Sequence, residues 1–120
     1  MIDNRAKTII CDIDGTLVKH STPSTSSHPE YLPELLPGTL AKFAEWDVKG
    51  YNIILMTGRR ESARAATQKQ LSRLGIFYDH LIMGIGGGER ILINDSKPNG
   101  EVAVRCINIE RDKGIIDVNI

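Results

Sequence analysis

Three short stretches of the chain hold residues that could do chemistry together. Asp12 and Asp14 stand two apart with Gly15 directly after them, Thr57 and Gly58 precede a pair of arginines, and Asn94 and Asp95 close an apolar run. Carboxylates two apart at a strand end project to the same side if the strand continues, and Gly15 marks a turn just beyond. With Asp95 as a third, these carboxylates repel one another unless a cation joins them, and an oxygen-rich cluster suits a hard divalent ion such as Mg²⁺. Asp12, Asp14 and Asp95 are therefore the candidate metal residues. Thr57 offers a hydroxyl and Gly58 a backbone N–H that a ligand can approach closely. A helix starting just after them would turn its positive end the same way, making a cradle for an anion such as phosphate. Arg59 completes that candidate phosphate-binding set. It can also be read, with Arg60 and Arg64, as surface charge on the first turns of an exposed helix. A divalent ion beside a phosphate cradle points to phosphoryl transfer.

For these stretches to meet, the elements carrying them must end on one rim. Lys7 to Ile13 is a β-rich run that reads as a strand buried on both faces. Pro37-Gly38-Thr39 opens a helical pattern whose face would be Leu40, Phe43, Ala44 and Val48, stopped by Gly50. Tyr51 to Met56 reads as a second strand. A second helix follows, with Ala63, Ala66, Gln70, Leu71 and Leu74 on its face and Gly75 as its stop. Leu81 to Met83 is a short apolar run, and glycines at 84, 86, 87 and 88 lead into a strand expected over 90–95. Val102 to Ile109 reads as a last strand, and the tail from Arg111 to Ile120 is either a strand extension or a contact with another chain. Residues 18–37, rich in Ser, Thr, His and Pro, are expected to form a mobile loop or flap. Buried strands alternating with helical patterns predict a single α/β domain over 1–120, a Rossmann-like three-layer sandwich with a mainly parallel sheet. In such sheets ligands bind beyond the carboxyl ends of the strands, which is where all three polar pairs fall.

Composition narrows the possible partners. Fifteen Lys and Arg against fifteen Asp and Glu leave no basic surplus for a nucleic-acid backbone or an anionic membrane surface. No run reaches the roughly 18 apolar residues of a membrane span, and Met1 to Lys7 lacks the apolar stretch of a secretory signal, so a cytoplasmic protein is expected. Cys11 and Cys106 each lie in apolar runs and are expected to be buried, reduced core thiols.

The run Ile9-Ile-Cys-Asp12-Ile-Asp14-Gly15-Thr16-Leu17 resembles the first motif of the haloacid dehalogenase-like superfamily, an apolar strand followed by D-x-D-G-T-[LV]. Met56-Thr57-Gly58-Arg59 resembles its second motif and Ile91-Leu92-Ile93-Asn94-Asp95 its fourth. The resemblance implies a Rossmann-like domain and a Mg²⁺-dependent phosphatase acting on a phosphate monoester, with a sugar or nucleotide phosphate as the expected small-molecule substrate. By that analogy Asp12 is the nucleophile and forms an aspartyl-phosphate. Asp14 protonates the leaving oxygen and activates water, and its backbone carbonyl joins Asp12 and Asp95 on the metal. Thr57 would hold a phosphoryl oxygen. The family's third motif, a basic residue ahead of the fourth, has no lysine here. Arg90 would begin its strand at the end remote from the site, so Lys97 is the expected source of that charge. Asn94 stands where many relatives have a second acid.

About twenty residues separate the first motif from the first helix and about thirty separate the second motif from the fourth, too few for a cap domain. The cleft should be open, or closed by a second copy of the chain through the apolar tail. Two other readings are carried forward. One is a degenerate member that binds a ligand or partner without turnover. The other is a receiver-type phosphoacceptor domain, which the order of the acids argues against. An EF-hand loop fails at Thr16 and Leu17, and the glycine cluster at 84–88 is followed by a strand pattern instead of the helix of a dinucleotide site.

Overall fold

A computed structural model describes residues 5–120. Three parallel strands, β1 (Thr8–Asp12), β2 (Asn52–Met56) and β3 (His80–Ile82), form one sheet in the order β1-β2-β3. Ile10 aligns with Ile54, and Leu55 with both Cys11 and Leu81. The chain passes between strands through α2 (Thr39–Val48) and then through a 3₁₀ turn (Glu61–Ala63) running into α3 (Arg64–Leu74). Sequential order with right-handed crossovers puts both helices on the same face of the sheet. This is the parallel α/β architecture that the sequence predicts, with two layers among the described residues where a three-layer sandwich is expected.

The core lies under those helices. Ile9, Cys11, Ile53, Leu55 and Leu81 point into it and meet Phe43 and Trp46 from α2, Leu71 from α3, and Ile76. On α2 the buried positions are Thr39, Phe43 and Trp46, an i, i+4, i+7 stripe. The expected face through Leu40, Ala44 and Val48 is rotated away from the core, and Val48 is exposed, because Trp46 has far more apolar area to bury than the residues it displaces. On α3 the buried positions Ala66, Gln70 and Leu71 fall on the expected face, and Gly75 ends the helix with φ 79°.

The expectation that β1 is buried on both faces is corrected. Ile10 is 48% exposed and Ile82 46%, since no helix covers the second face among the described residues. The strands expected over 90–95 and from Val102 to Ile109 are likewise not formed. That segment carries one antiparallel bridge, Ser96 to Val102, and Ile93 is 91% exposed. Beyond β3 the glycine run takes left-handed turns at Gly84 and Gly86, and Gly84 N–H donates to Arg59 O at 2.7 Å. The chain therefore hugs the end of β2 and does not cross to the open edge of β1. Cys106, expected in a core strand, is exposed, while Cys11 is buried.

Two stretches are more ordered than their composition suggests. Residues 18–37 hold a short helix, α1 (Pro23–Ser26), and a bridge between Val18 and Leu35, with Ser26 buried. The C-terminal tail docks on its own chain. Ile115 enters the core, its N–H donates to Pro37 O at 2.9 Å, and the Asp112 N–H donates to Gly15 O at 2.9 Å. The apolar residue that suggested a contact with another copy is thus used inside the fold. No helix among the described residues is long and apolar enough to cross a membrane.

Candidate active site at the carboxyl end of the sheet

Asp12 is the last residue of β1, and the chain turns at once. Gly15 adopts φ 83°, its N–H donates to Val18 O at 2.7 Å, and Leu17 N–H returns to Ile13 O at 2.9 Å. Ile13 is pulled into the core by this turn, leaving Asp12 and Asp14 facing outward on either side of it. Thr16 donates its hydroxyl to Asp12 Oδ2 at 3.2 Å, bracing the carboxylate from within the same turn.

Both carboxylates face a guanidinium. Arg59 grips Asp14 with two parallel bonds, Nε to Oδ2 at 2.9 Å and Nη2 to Oδ1 at 2.8 Å. This planar fork-to-fork contact is the strongest side-chain pairing available to an arginine. Its third nitrogen, Nη1, donates to Gln70 Oε1 at 2.7 Å and Thr67 Oγ1 at 3.1 Å. Arg59 is therefore spent on protein groups, with its side chain 6% exposed. The expectation that it binds substrate phosphate is corrected: it holds Asp14. Arg90 Nη1 approaches Asp12 Oδ1 at 3.3 Å, and its Nη2 leans on Gly86 O at 3.4 Å. Lys97, the residue expected to supply this charge, lies in the Ser96–Val102 turn with its ammonium 3.9 Å from Glu101. Arg90 reaches Asp12 because the glycine run folds back over β2 instead of starting a strand at the far end of the sheet.

Thr57 is buried at the end of β2, where its hydroxyl oxygen accepts the Arg59 N–H at 3.0 Å. Gly58 is exposed, and a β-carbon there would stand 3.2 Å from Gly86 O. Glycine is thus what lets the loop after β3 close against this turn. Arg64, read as either steering charge or surface charge, pairs with Glu61 at 2.6 Å and holds that carboxyl below its usual range. Beneath the site, burial pushes the Cys11 thiol up to about 12, helped by the neighbouring Asp12 charge, so this sulfur is no nucleophile.

The third carboxylate does not join the other two. Asp95 sits on the exposed segment beyond Arg90, and no group of three His, Cys, Asp or Glu among the described residues could hold a metal ion. In this arrangement the residues do not fit a divalent ion, since Asp12 and Asp14 already have guanidinium partners. Two contributors went unread in the sequence. Gln70 was recognisable only as a polar residue on an otherwise apolar helix face, and Thr16 only as part of the motif.

An open parallel sheet with its polar groups beyond the strand ends is the arrangement in which α/β proteins bind their ligands. The chain has a haloacid dehalogenase-like fold. No protein-family model matches it, and no curated protein does. Among solved structures, a chain of the Pnkp1/Rnl/Hen1 RNA repair complex is similar over 65% of this chain at 30% identity, with a TM-score of 0.55. A second structure of the Pnkp1/Rnl/Hen1 complex is similar over 74% at 27% identity, with a TM-score of 0.57. The present chain spans 25% and 32% of those two partners' lengths. A structural-genomics target from Vibrio cholerae matches over 82% of this chain and 89% of its own, at 18% identity and a TM-score of 0.52.

Proposed function

We propose that the protein is a phosphatase that hydrolyses a phosphate monoester through a phosphorylated Asp12. The observation that carries the reading is the pair of carboxylates at the end of β1, one braced by a hydroxyl and the other locked by a bidentate arginine. Equivalent acids in equivalent surroundings would do one job; these two are held differently, which suits a nucleophile and a proton carrier. Asp12 Oδ attacks phosphorus in line as the ester P–O bond breaks, and Asp14 gives a proton to the departing oxygen. Water then attacks the phosphoryl group, Asp14 takes its proton, and Asp12 is restored as phosphate leaves. Asp14 enters the cycle protonated on a lone pair that Arg59 leaves unused, and the guanidinium, which favours the carboxylate, assists release of that proton to the leaving oxygen. Arg90 offsets charge at Asp12, and the exposed Gly58 N–H, above buried Thr57, offers a donor to a phosphoryl oxygen.

The sequence expectation of Mg²⁺ bound by Asp12, Asp14 and Asp95 requires residues 91–95 to approach the outer edge of β1. Among the described residues that edge has no strand partner, and Ile91, Leu92 and Ile93 stand exposed, so pairing would satisfy both. The ester is proposed to be a sugar or nucleotide phosphate. The likeness to an RNA repair complex adds a phosphorylated RNA end to the substrates worth assaying.

The test is hydrolysis of p-nitrophenyl phosphate by wild type and Asp12→Asn, with Mg²⁺ and with EDTA. Turnover by the wild type and a loss of at least about 10³-fold in Asp12→Asn supports the reading, that factor corresponding to the removal of a covalent nucleophile. Turnover that EDTA abolishes shows that the reaction needs a divalent ion. Tight phosphate binding without turnover would favour a ligand-binding protein instead.

A further inference from the structure

The flap and Asp14 are joined by a continuous chain of buried polar groups. Gln70, on α3, is 1% exposed. Its amide nitrogen donates to two flap carbonyls, Ser26 O at 2.8 Å and His28 O at 3.1 Å, while its amide oxygen accepts from Arg59 Nη1 at 2.7 Å. Arg59 in turn fixes both oxygens of Asp14. Each member of the chain uses donors and acceptors of the right kind, so it has one arrangement that satisfies all of them; a buried amide left half-satisfied is costly. Lys69 and Glu30, paired at 2.7 Å, close an outer clasp between the same helix and flap. The Ser/Thr-rich segment is thus pinned to α3 directly above the arginine that orients Asp14.

We infer that Gln70 and Arg59 are positioning residues that tie closure of the 22–31 flap to the orientation of the Asp14 carboxylate. This inference rests on the reading of Asp14 as the proton carrier. With Gln70 in place, Arg59 cannot rotate without breaking bonds to α3, so the Asp14 oxygens are presented to the leaving group in a fixed direction. With Gln70 lost, both flap carbonyls lose the amide that ties them to α3, and Arg59 Nη1 keeps only Thr67 Oγ1 at 3.1 Å and a 3.5 Å contact to Ser26 O, so Asp14 gains freedom to turn. Proton delivery matters most for a leaving group that cannot depart as an anion, and least for a stabilised phenolate. A positioning role therefore has a signature that a general loss of structure lacks.

The experiment compares wild type, Gln70→Leu and Gln70→Glu on an alkyl phosphate and on p-nitrophenyl phosphate, with amide exchange followed over residues 22–31. Gln70→Leu should lower kcat on the alkyl ester about tenfold, the scale of a misoriented acid, while changing the aryl ester by less than about twofold. Gln70→Glu keeps the acceptor for Arg59 but cannot donate to the flap. It should speed exchange of the flap amides while retaining the wild-type ratio of the two substrates. Equal losses on both esters in Gln70→Leu, or flap exchange unchanged in both variants, would overturn the inference. A wild type that turns over neither ester would instead overturn the phosphatase reading. In that event faster flap exchange in the variants would still support the tie to Gln70, and unchanged exchange would overturn it.

Discussion

At the scale of single residues, arginine placement decides what the two acids can do. Asp14 is 19% exposed in its side chain and sits against a guanidinium that is nearly fully enclosed. Removing one partner of such a pair strands the other without its hydrogen bonds. Arg59→Ala should therefore lower unfolding free energy by about 3 kcal/mol, measured by urea denaturation, whereas Arg60→Ala, on an exposed position, should change it by less than about 0.5 kcal/mol. The acids, Thr57 and Gly58 were legible in the sequence because their types and spacing carry their chemistry. The partners were not. Lys97 lies nearer Asp95 in the sequence, but with no strand formed over 90–95 that distance is no guide to which cation meets Asp12, and Arg90 does.

At the scale of elements, β1, β2, α2 and α3 were legible because each is specified locally, by an apolar run or a stripe bounded by Gly50 or Gly75. What local pattern left open was rotation. Two faces of α2 are apolar enough to compete, and the larger aromatic surface wins: Phe43 and Trp46 lie in the core with ring centroids 5.3 Å apart. Trp46→Ala should cost about 3–5 kcal/mol of stability and Val48→Ala less than about 0.5 kcal/mol, read from paired denaturation curves. Similar losses at both positions would mean that the helix is turned as the sequence pattern suggested. The contacts of the flap leave no trace in the sequence for a related reason. Its composition is that of a solvated loop, and its order comes from Gln70 and Lys69, more than forty positions away from Ser26 in one case. Such non-local hydrogen bonds leave no periodicity to read.

At the scale of the whole molecule, the chain closes on itself at one end and stays open at the other. The tail threads between the acidic turn and the start of α2, where a β-carbon on Gly114 would collide with Pro37 O. Ile115 then joins the buried core beside Phe43 and Trp46. Across the sheet, the outer edge of β1 has no strand partner among the described residues, and the apolar run 91–93 lies in solvent with Asp95 beyond it. Parallel pairing of that run with β1 is a long-range contact, so sequence pattern names the strand without fixing whether it docks. The account rests on Asp12 carrying the phosphoryl group. The most direct measurement is to mix the protein with a phosphate monoester, quench in acid, and determine by peptide mass spectrometry which residue has gained one phosphoryl group. The modification is expected on Asp12, and hydroxylamine is expected to remove it, as it does an acyl phosphate. A chain that turns the ester over with Asp12 unmodified, or with the phosphoryl group on another residue, would contradict it.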